Sequence, residues 1–240
     1  MCTKEDRKRE FADAFMQLIV DTPRNRRVNV VDITTYVGCE RKTFYYYFEN
    51  IDDLIIWIFR HNLKTMLETH FAEYPLIKPD PSLQDRYGDW PFYVQIKGAN
   101  HTLEQGAYFK LSTYHWEDNR AYYENILHNH ERGYCNLFNY LVNLYIPALK
   151  SDLVYLLNGR RIPADVLNFL AEYHVMGIFG RFQWHFATTR KFIMQNDLDP
   201  FWNYAHTEMK HTVDCMFDPK SPYYKKNCAP ESVRRHGELL

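Results

Sequence analysis

The chain has 240 residues, 46% of them hydrophobic and 25% charged, with 29 Lys or Arg against 30 Asp or Glu and a net charge of −1. That length supports a full hydrophobic core and leaves room for a small N-terminal module beside a larger one, while the neutral balance excludes a generally basic nucleic-acid binder. Five scattered cysteines at 2, 39, 135, 215 and 228 make no Cys-x-x-Cys pair, and the longest apolar run, Leu54 to Phe59, is far too short to span a bilayer. A disulfide framework, a cysteine metal cluster and a membrane span are thereby set aside, and a cytoplasmic protein without cofactor is expected.

Taken in chain order, the apolar spacing is helical throughout, with no alternating strand pattern, so the fold is expected to be all-α. A first helix over Lys4 to Val20 places Phe11, Phe15, Leu18 and Ile19 on one face and closes at Thr22-Pro23. Lys4, Arg7, Lys8 and Arg9 crowd its start, and Arg24, Arg26 and Arg27 form a basic loop after it; both groups can flank a phosphate backbone. Acidic residues offset them, ten of each sign over residues 1–62, so affinity must come from where the charges sit.

Residues 30–54 spell two short helices joined by a tight turn. Asn29 is placed to cap the first, whose Ile33 and Val37 lie four apart on a buried face, and Gly38 ends it in the left-handed conformation open to glycine. The second begins near Glu40, a carboxylate suited to a positive helix end, and buries Phe44 and Phe48. At about 100° per residue Lys42 and Tyr46 then point away from the core, with Thr43, Tyr45 and Tyr47 flanking them. Such a face can donate to phosphates and base edges together.

The segment from Gly38 to Phe48, followed by Asp52-Asp53-Leu54, resembles the recognition segment of TetR-family transcriptional regulators, specifically over about residues 8–60. The resemblance implies DNA contacts from Val30 and Val31 and from Arg41, Lys42, Thr43, Tyr45, Tyr46 and Tyr47. Tyr45 and Tyr47 would grip phosphates, while Arg41, Lys42 and Tyr46 face the bases. Two positions depart from the pattern: Ile51 stands where many members carry a phosphate-binding lysine, and Val31 where a polar or basic residue is common.

Ile51 to about Glu73 reads as a long connecting helix presenting Leu54, Ile58, Leu63, Met66 and Leu67 inward. Residues 75–91, with four prolines and a glycine, read as a loop. Helices are expected over about 92–115, 118–146, 148–158, 163–187 and 198–217, and a poorly ordered tail over 219–240. Residues 1–50 would then be a three-helix helix-turn-helix DNA-binding domain, and 51–218 a larger helical domain for ligand binding and dimerisation, with 51–74 as the connector.

Between Tyr87 and Tyr145 fourteen of fifty-nine residues are aromatic. With Trp57, the residues Tyr93, Tyr108, Tyr114, Trp116, Tyr123, Tyr134 and Phe138 are candidates to line a pocket for an apolar or aromatic small molecule. The helix from Pro163 carries Leu170, His174, Ile178 and Phe182 near one stripe, and the last helix carries Phe201, Tyr204, Ala205, Met209 and Val213 at similar spacing. Two such helices meeting their copies would make a four-helix interface, as the resemblance also implies. Eleven histidines show no ligand spacing: His128 and His130 would lie about 200° apart on a helix, so no metal is expected.

No Gly-rich phosphate loop, Gly-x-Ser-x-Gly or His-Glu-x-x-His is present, so catalysis is not expected. The resemblance implies a homodimeric regulator, most often a repressor, reading an inverted repeat in double-stranded DNA and released by a small-molecule effector. The alternative is a DNA-binding regulator controlled by a protein partner without a ligand.

Overall fold

The structure, a computed structural model, describes residues 3–23, 26–128, 134, 137–187 and 202–224. Arg24, His130, Phe201 and the tail beyond residue 224 lie outside the described residues. Nine α-helices account for most of what is described, and the all-α expectation holds apart from one small sheet.

Helix α1 (Lys4–Asp21) opens with a reciprocal cap, Asp6 N–H donating to Thr3 Oγ1 (3.1 Å) and Thr3 N–H to Asp6 Oδ2 (2.8 Å). Its Phe11, Phe15 and Ile19 are fully buried. Helix α2 (Val30–Val37) starts on Asn29, whose side chain accepts from Val31 and Asp32 N–H, and ends at Gly38 with φ 73°. Only a residue without Cβ adopts that conformation at little cost, and it lets α3 (Arg41–Tyr47) begin three residues later. Phe44 and Phe48 fill the angle among α1, α2 and α4, with the Phe44 ring 5.5 Å from Phe11 and edge-on.

Helix α4 (Ile51–His70) is buried on nearly every side in its first three turns, and it stops three residues short of the predicted end. Here the amphipathic reading misses Arg60, which is fully buried. Its Nη1 donates to Asp85 Oδ2 and to the Tyr140 hydroxyl, both at 2.9 Å, and its Nη2 to the carbonyls of Tyr87 (3.0 Å) and Trp90 (2.6 Å). The loop after α4 is thus wrapped around one guanidinium.

Three expected helices, over 92–115, 118–146 and 148–158, are corrected. Residues 92–115 do not form a single helix: Tyr93–Val94 (β2) pairs antiparallel with Leu76–Ile77 (β1), and α5 begins only at Gly106 (Gly106–Asp118). Phe92, Tyr93 and Val94 are all buried, so successive side chains need cover on both faces, which a strand pressed between helices supplies. Gln105 closes the segment by accepting from Ile96 N–H (3.0 Å) and donating to the Val94 carbonyl (2.6 Å).

The expected break near residue 147 is likewise absent. After α6 (Arg120–His128), helix α7 (Leu137–Leu157) runs straight through Pro147. A proline there removes one hydrogen bond and disfavours the helix by about 3 kcal/mol. Burial of Leu141, Leu144, Tyr145, Leu149, Leu153 and Leu156 offsets that penalty.

Helices α8 (Ala164–Ala187) and α9 (Tyr204–Phe217) complete the body against α7. Fully buried Asp152 of α7 ties these layers. It accepts from the Tyr93 hydroxyl (2.7 Å) and Gln95 Nε2 (2.7 Å), and stands 2.8 Å from His206 Nε2 of α9. Helix α6 packs on α1, and the Tyr134 hydroxyl accepts from the Val28 N–H at 2.8 Å, so the body grips the chain just before α2. Among the described residues no helix is long and apolar enough to cross a membrane.

Candidate nucleic-acid interface

The seven-residue α3 is too short to persist alone and is held by its buried face. Its other face is open: Tyr46 is 71% exposed and Tyr45 49%, Arg41 and Lys42 are exposed, and Thr43 and Tyr47 are half-buried. The rings are braced, Tyr45 edge-on to Phe44 at 5.6 Å and Tyr46 edge-on to Tyr47 at 4.9 Å. Bracing fixes where the hydroxyls point, which lowers the entropy lost on contact with a ligand. Val31 is also exposed at the start of α2.

The basic loop is partly committed elsewhere. Arg26 pairs with Asp32 at 2.7 Å, and the Arg27 guanidinium lies over the Tyr134 ring, 5.2 Å from its centre. Ile51 is buried at the start of α4, so packing occupies the place where the resemblance expects a phosphate-binding lysine. Half-buried Lys8 rests on the Phe48 and Trp57 rings, and desolvation by burial lowers its pKa.

Four further residues stand at this face, of which the sequence marks Lys4 and Arg7 only as a charge run and Glu40 only as a helix-end carboxylate. Lys4 and Arg7 of α1 stand beside Tyr46 and Tyr47 around an open polar crevice of about 330 Å3. Tyr36 of α2 is 59% exposed. Glu40 makes no capping hydrogen bond and lies 2.8 Å from Lys42. The approach of Lys4 and Arg7 to Tyr46 and Tyr47 depends on how α1 crosses α3, and no repeat within one helix carries that information.

In the body, α4, α5, α7 and α8 enclose an apolar cleft of about 30 Å3, room for one or two water molecules. Phe59, Leu63, Met66, Phe109, Ile178 and Phe182 form much of its wall, and of the candidate pocket residues Tyr108 and Trp116 reach it. Tyr93 stands behind Tyr108 (centroids 5.0 Å apart), and Tyr123 behind Trp116 (4.2 Å). The other four lie apart: Tyr114 is 40% exposed, Phe138 is half-buried, Trp57 stacks on His61 and meets Phe48, and Tyr134 abuts Phe15 and Val28.

His115 is the one titratable imidazole in the cleft wall, with Nε2 3.0 Å from the Tyr123 hydroxyl and 3.3 Å from Asn62 Nδ2. Burial lowers its pKa to about 4, so the cleft is lined by neutral groups at neutral pH. The unfolded chain takes up this proton below about 6.5, while the folded chain refuses it until about 4. Stability should therefore decline as pH falls from 6.5 to 4, this one group accounting for at most about 3 kcal/mol. Urea titrations across that range should show a shallower decline in His115→Gln; identical slopes would assign the pH dependence to other groups. Burial also lowers the pKa of His61, His174 and His185, which adds in the same direction.

The candidate dimer residues divide. Leu170, Met209 and Val213 are buried within the chain, Ile178 and Phe182 face the cleft, and His174 and Ala205 are half-buried. The open apolar stripe of α8 lies beside that row: Phe169, Tyr173, Met176 and Trp184 are 47–64% exposed, with Gly177 and Gly180 between them and nothing near their missing side chains. Tyr204 of α9 is also exposed. Among the described residues no three His, Cys, Asp or Glu side chains converge as metal ligands.

The sequence matches no protein-family model and no curated protein. Its structure is similar to a solved structure of the dihydroxyacetone kinase operon activator DhaS, with a TM-score of 0.52 and 15% identity, over 86% of this chain and 96% of that one. The chain therefore shares the helical fold of that structure, and it carries a helix-turn-helix at its N-terminal end.

Proposed function

We propose that this protein is a sequence-specific DNA-binding transcriptional regulator acting as a homodimer on an inverted repeat. The observation that carries the reading is the open face of α3, where Arg41, Lys42, Tyr45 and Tyr46 stand exposed on a helix fixed from behind by Phe44 and Phe48. A packing role does not account for a 71% exposed tyrosine. One reading helix covers only a few base pairs, so two-fold pairing is required for a site of useful length, and the open stripe of α8 is the surface suited to it.

Control by an apolar or aromatic effector, released repression being the outcome, is supported by the neutral, aromatic wall of the cleft. At about 30 Å3 the cleft must widen to admit one. A coupling of about 1–3 kcal/mol between that opening and the spacing of the two heads changes DNA affinity roughly 5–150-fold. The small volume also favours the second reading, in which a protein partner controls the heads and no ligand enters.

Selection of bound fragments from randomised duplex DNA at near-physiological salt tests the central claim, with an enriched inverted repeat as the expected result. Tyr45→Phe should weaken binding to all sequences alike, by a fewfold, whereas Lys42→Ala or Tyr46→Ala should alter base preference. Equal effects of all three on every DNA would remove these roles. The enriched fragment then separates the two modes of control: release by neutral aromatic compounds supports the effector, and release only by a protein supports the partner.

A further inference from the structure

A carboxylate stands at the leading edge of the reading helix, and the fold makes no use of it. Glu40 immediately precedes α3, yet it makes no side-chain cap there. Its Oε2 instead lies 2.8 Å from Lys42 Nζ, with the Glu40 and Lys42 side chains 73% and 81% exposed. The neighbouring Arg41 is turned the other way, its guanidinium 3.5 Å from the Tyr45 hydroxyl. Lys42 and Glu40 thus form an outward donor and acceptor at the end of the helix that a helix-turn-helix presents to base edges.

A carboxylate brought up to DNA is repelled by the phosphates, and it is tolerated only where a base donor meets it. The major groove offers two such donors, cytosine N4–H2 and adenine N6–H2, and the adenine donor stands beside the N7 acceptor, which repels a carboxylate. Lysine has donors alone and matches guanine O6 and N7. Within a guanine–cytosine pair O6 and N4 are themselves hydrogen-bonded, about 2.9 Å apart, which matches the separation of the two side-chain groups.

We infer that Glu40 and Lys42 together read one guanine–cytosine pair in each half of the operator, Lys42 donating to guanine O6 and Glu40 accepting from cytosine N4. This inference rests on the reading of the chain as a DNA-binding regulator and names the base pair that its reading helix selects. With thymine in cytosine's place the carboxylate meets O4, an acceptor that repels it, and with adenine there it meets N6–H2 only beside N7, an acceptor that cytosine lacks. Glu40 therefore acts chiefly by rejecting the wrong pair. The net-neutral Glu40–Lys42 pair also makes Lys42 a base reader with little share in salt-dependent backbone attraction.

The test applies the randomised-duplex selection to the full chain and to Glu40→Gln, Glu40→Ala and Lys42→Ala in parallel. Both side chains are exposed, so circular dichroism and thermal unfolding of the variants should match those of the parent protein. The parent is expected to enrich a repeat with a fixed guanine–cytosine pair in each half, and putting adenine in guanine's place with thymine in cytosine's should weaken its binding about tenfold or more. Glu40→Ala should lose this discrimination, and Glu40→Gln should move the preference toward adenine, which an amide reads with both its groups. An enriched repeat without the pair, or with a preference unchanged in Glu40→Ala and Glu40→Gln, overturns the inference and leaves the regulator reading standing. Failure of the parent protein to enrich any repeat overturns both.

Discussion

Replacing Asp85 with alanine is expected to destabilise the protein by about 3–5 kcal/mol, because it leaves the Arg60 guanidinium buried without a counter-charge. Asp85 accepts from Arg60 Nη1 at 2.9 Å, from the Tyr140 hydroxyl at 2.5 Å and from the Tyr87 N–H at 2.6 Å, and the Arg60 and Asp85 side chains are 0% and 5% exposed. The loss should reach the reading head. Tyr87 donates to Asp53 Oδ1 (2.6 Å), Arg86 bonds Asp53 and Glu49, and Asp53 accepts from the Glu49 N–H, so the same loop steadies the turn between α3 and α4. Urea unfolding checks the magnitude. The double variant Arg60→Met/Asp85→Leu should recover only part of the loss, since it removes the unpaired charge but leaves the Tyr87 and Trp90 carbonyls and the Tyr87 N–H without these partners. A loss below about 1 kcal/mol in Asp85→Ala would show that water reaches Arg60 and solvates it.

The second large effect is expected from Phe44→Ala, which should cost about 3–5 kcal/mol and abolish specific DNA binding. Phe44 is fully buried, 5.5 Å from Phe11 and 5.6 Å from Phe48 between ring centres, and it is the one buried residue within α3. Without it a seven-residue helix keeps too little packing to hold its exposed face in register. Lys42→Ala is the contrasting control, since it touches the same helix at an exposed position and should leave stability within about 0.5 kcal/mol. Thermal unfolding and binding to the selected DNA, measured together, separate the two; specific binding retained by Phe44→Ala would remove α3 as the reading element.

The reading motif was legible because its information is local. Asn29 caps α2, Gly38 turns the chain at φ 73°, and the four-residue spacing of Phe44 and Phe48 fixes which face of α3 stays open. The hairpin of Leu76–Ile77 with Tyr93–Val94 was not legible, since two-residue strands have no period to read and their partners are sixteen or more residues apart. Pro147 misled for a related reason: proline propensity is local, whereas the burial that overrides it comes from α8 and α9. On α8 apolar residues occur all round, so spacing alone could not separate the Leu170 and Ile178 row from the exposed Phe169, Tyr173 and Trp184 stripe beside it.

By itself the sequence determined the all-helical class, the caps and turn of the motif, and the outward position of Lys42, Tyr45 and Tyr46, because each follows from contacts within a few residues along the chain. The tertiary structure decided the burial of Arg60 on Asp85, of Asp152 on Tyr93 and His206, and the committal of Arg26 and Arg27 to Asp32 and Tyr134. It also decided the near closure of the cleft. A charge reads as surface until its partner is known, and these partners come from other helices or loops, whose approach is fixed by the packing of the whole core.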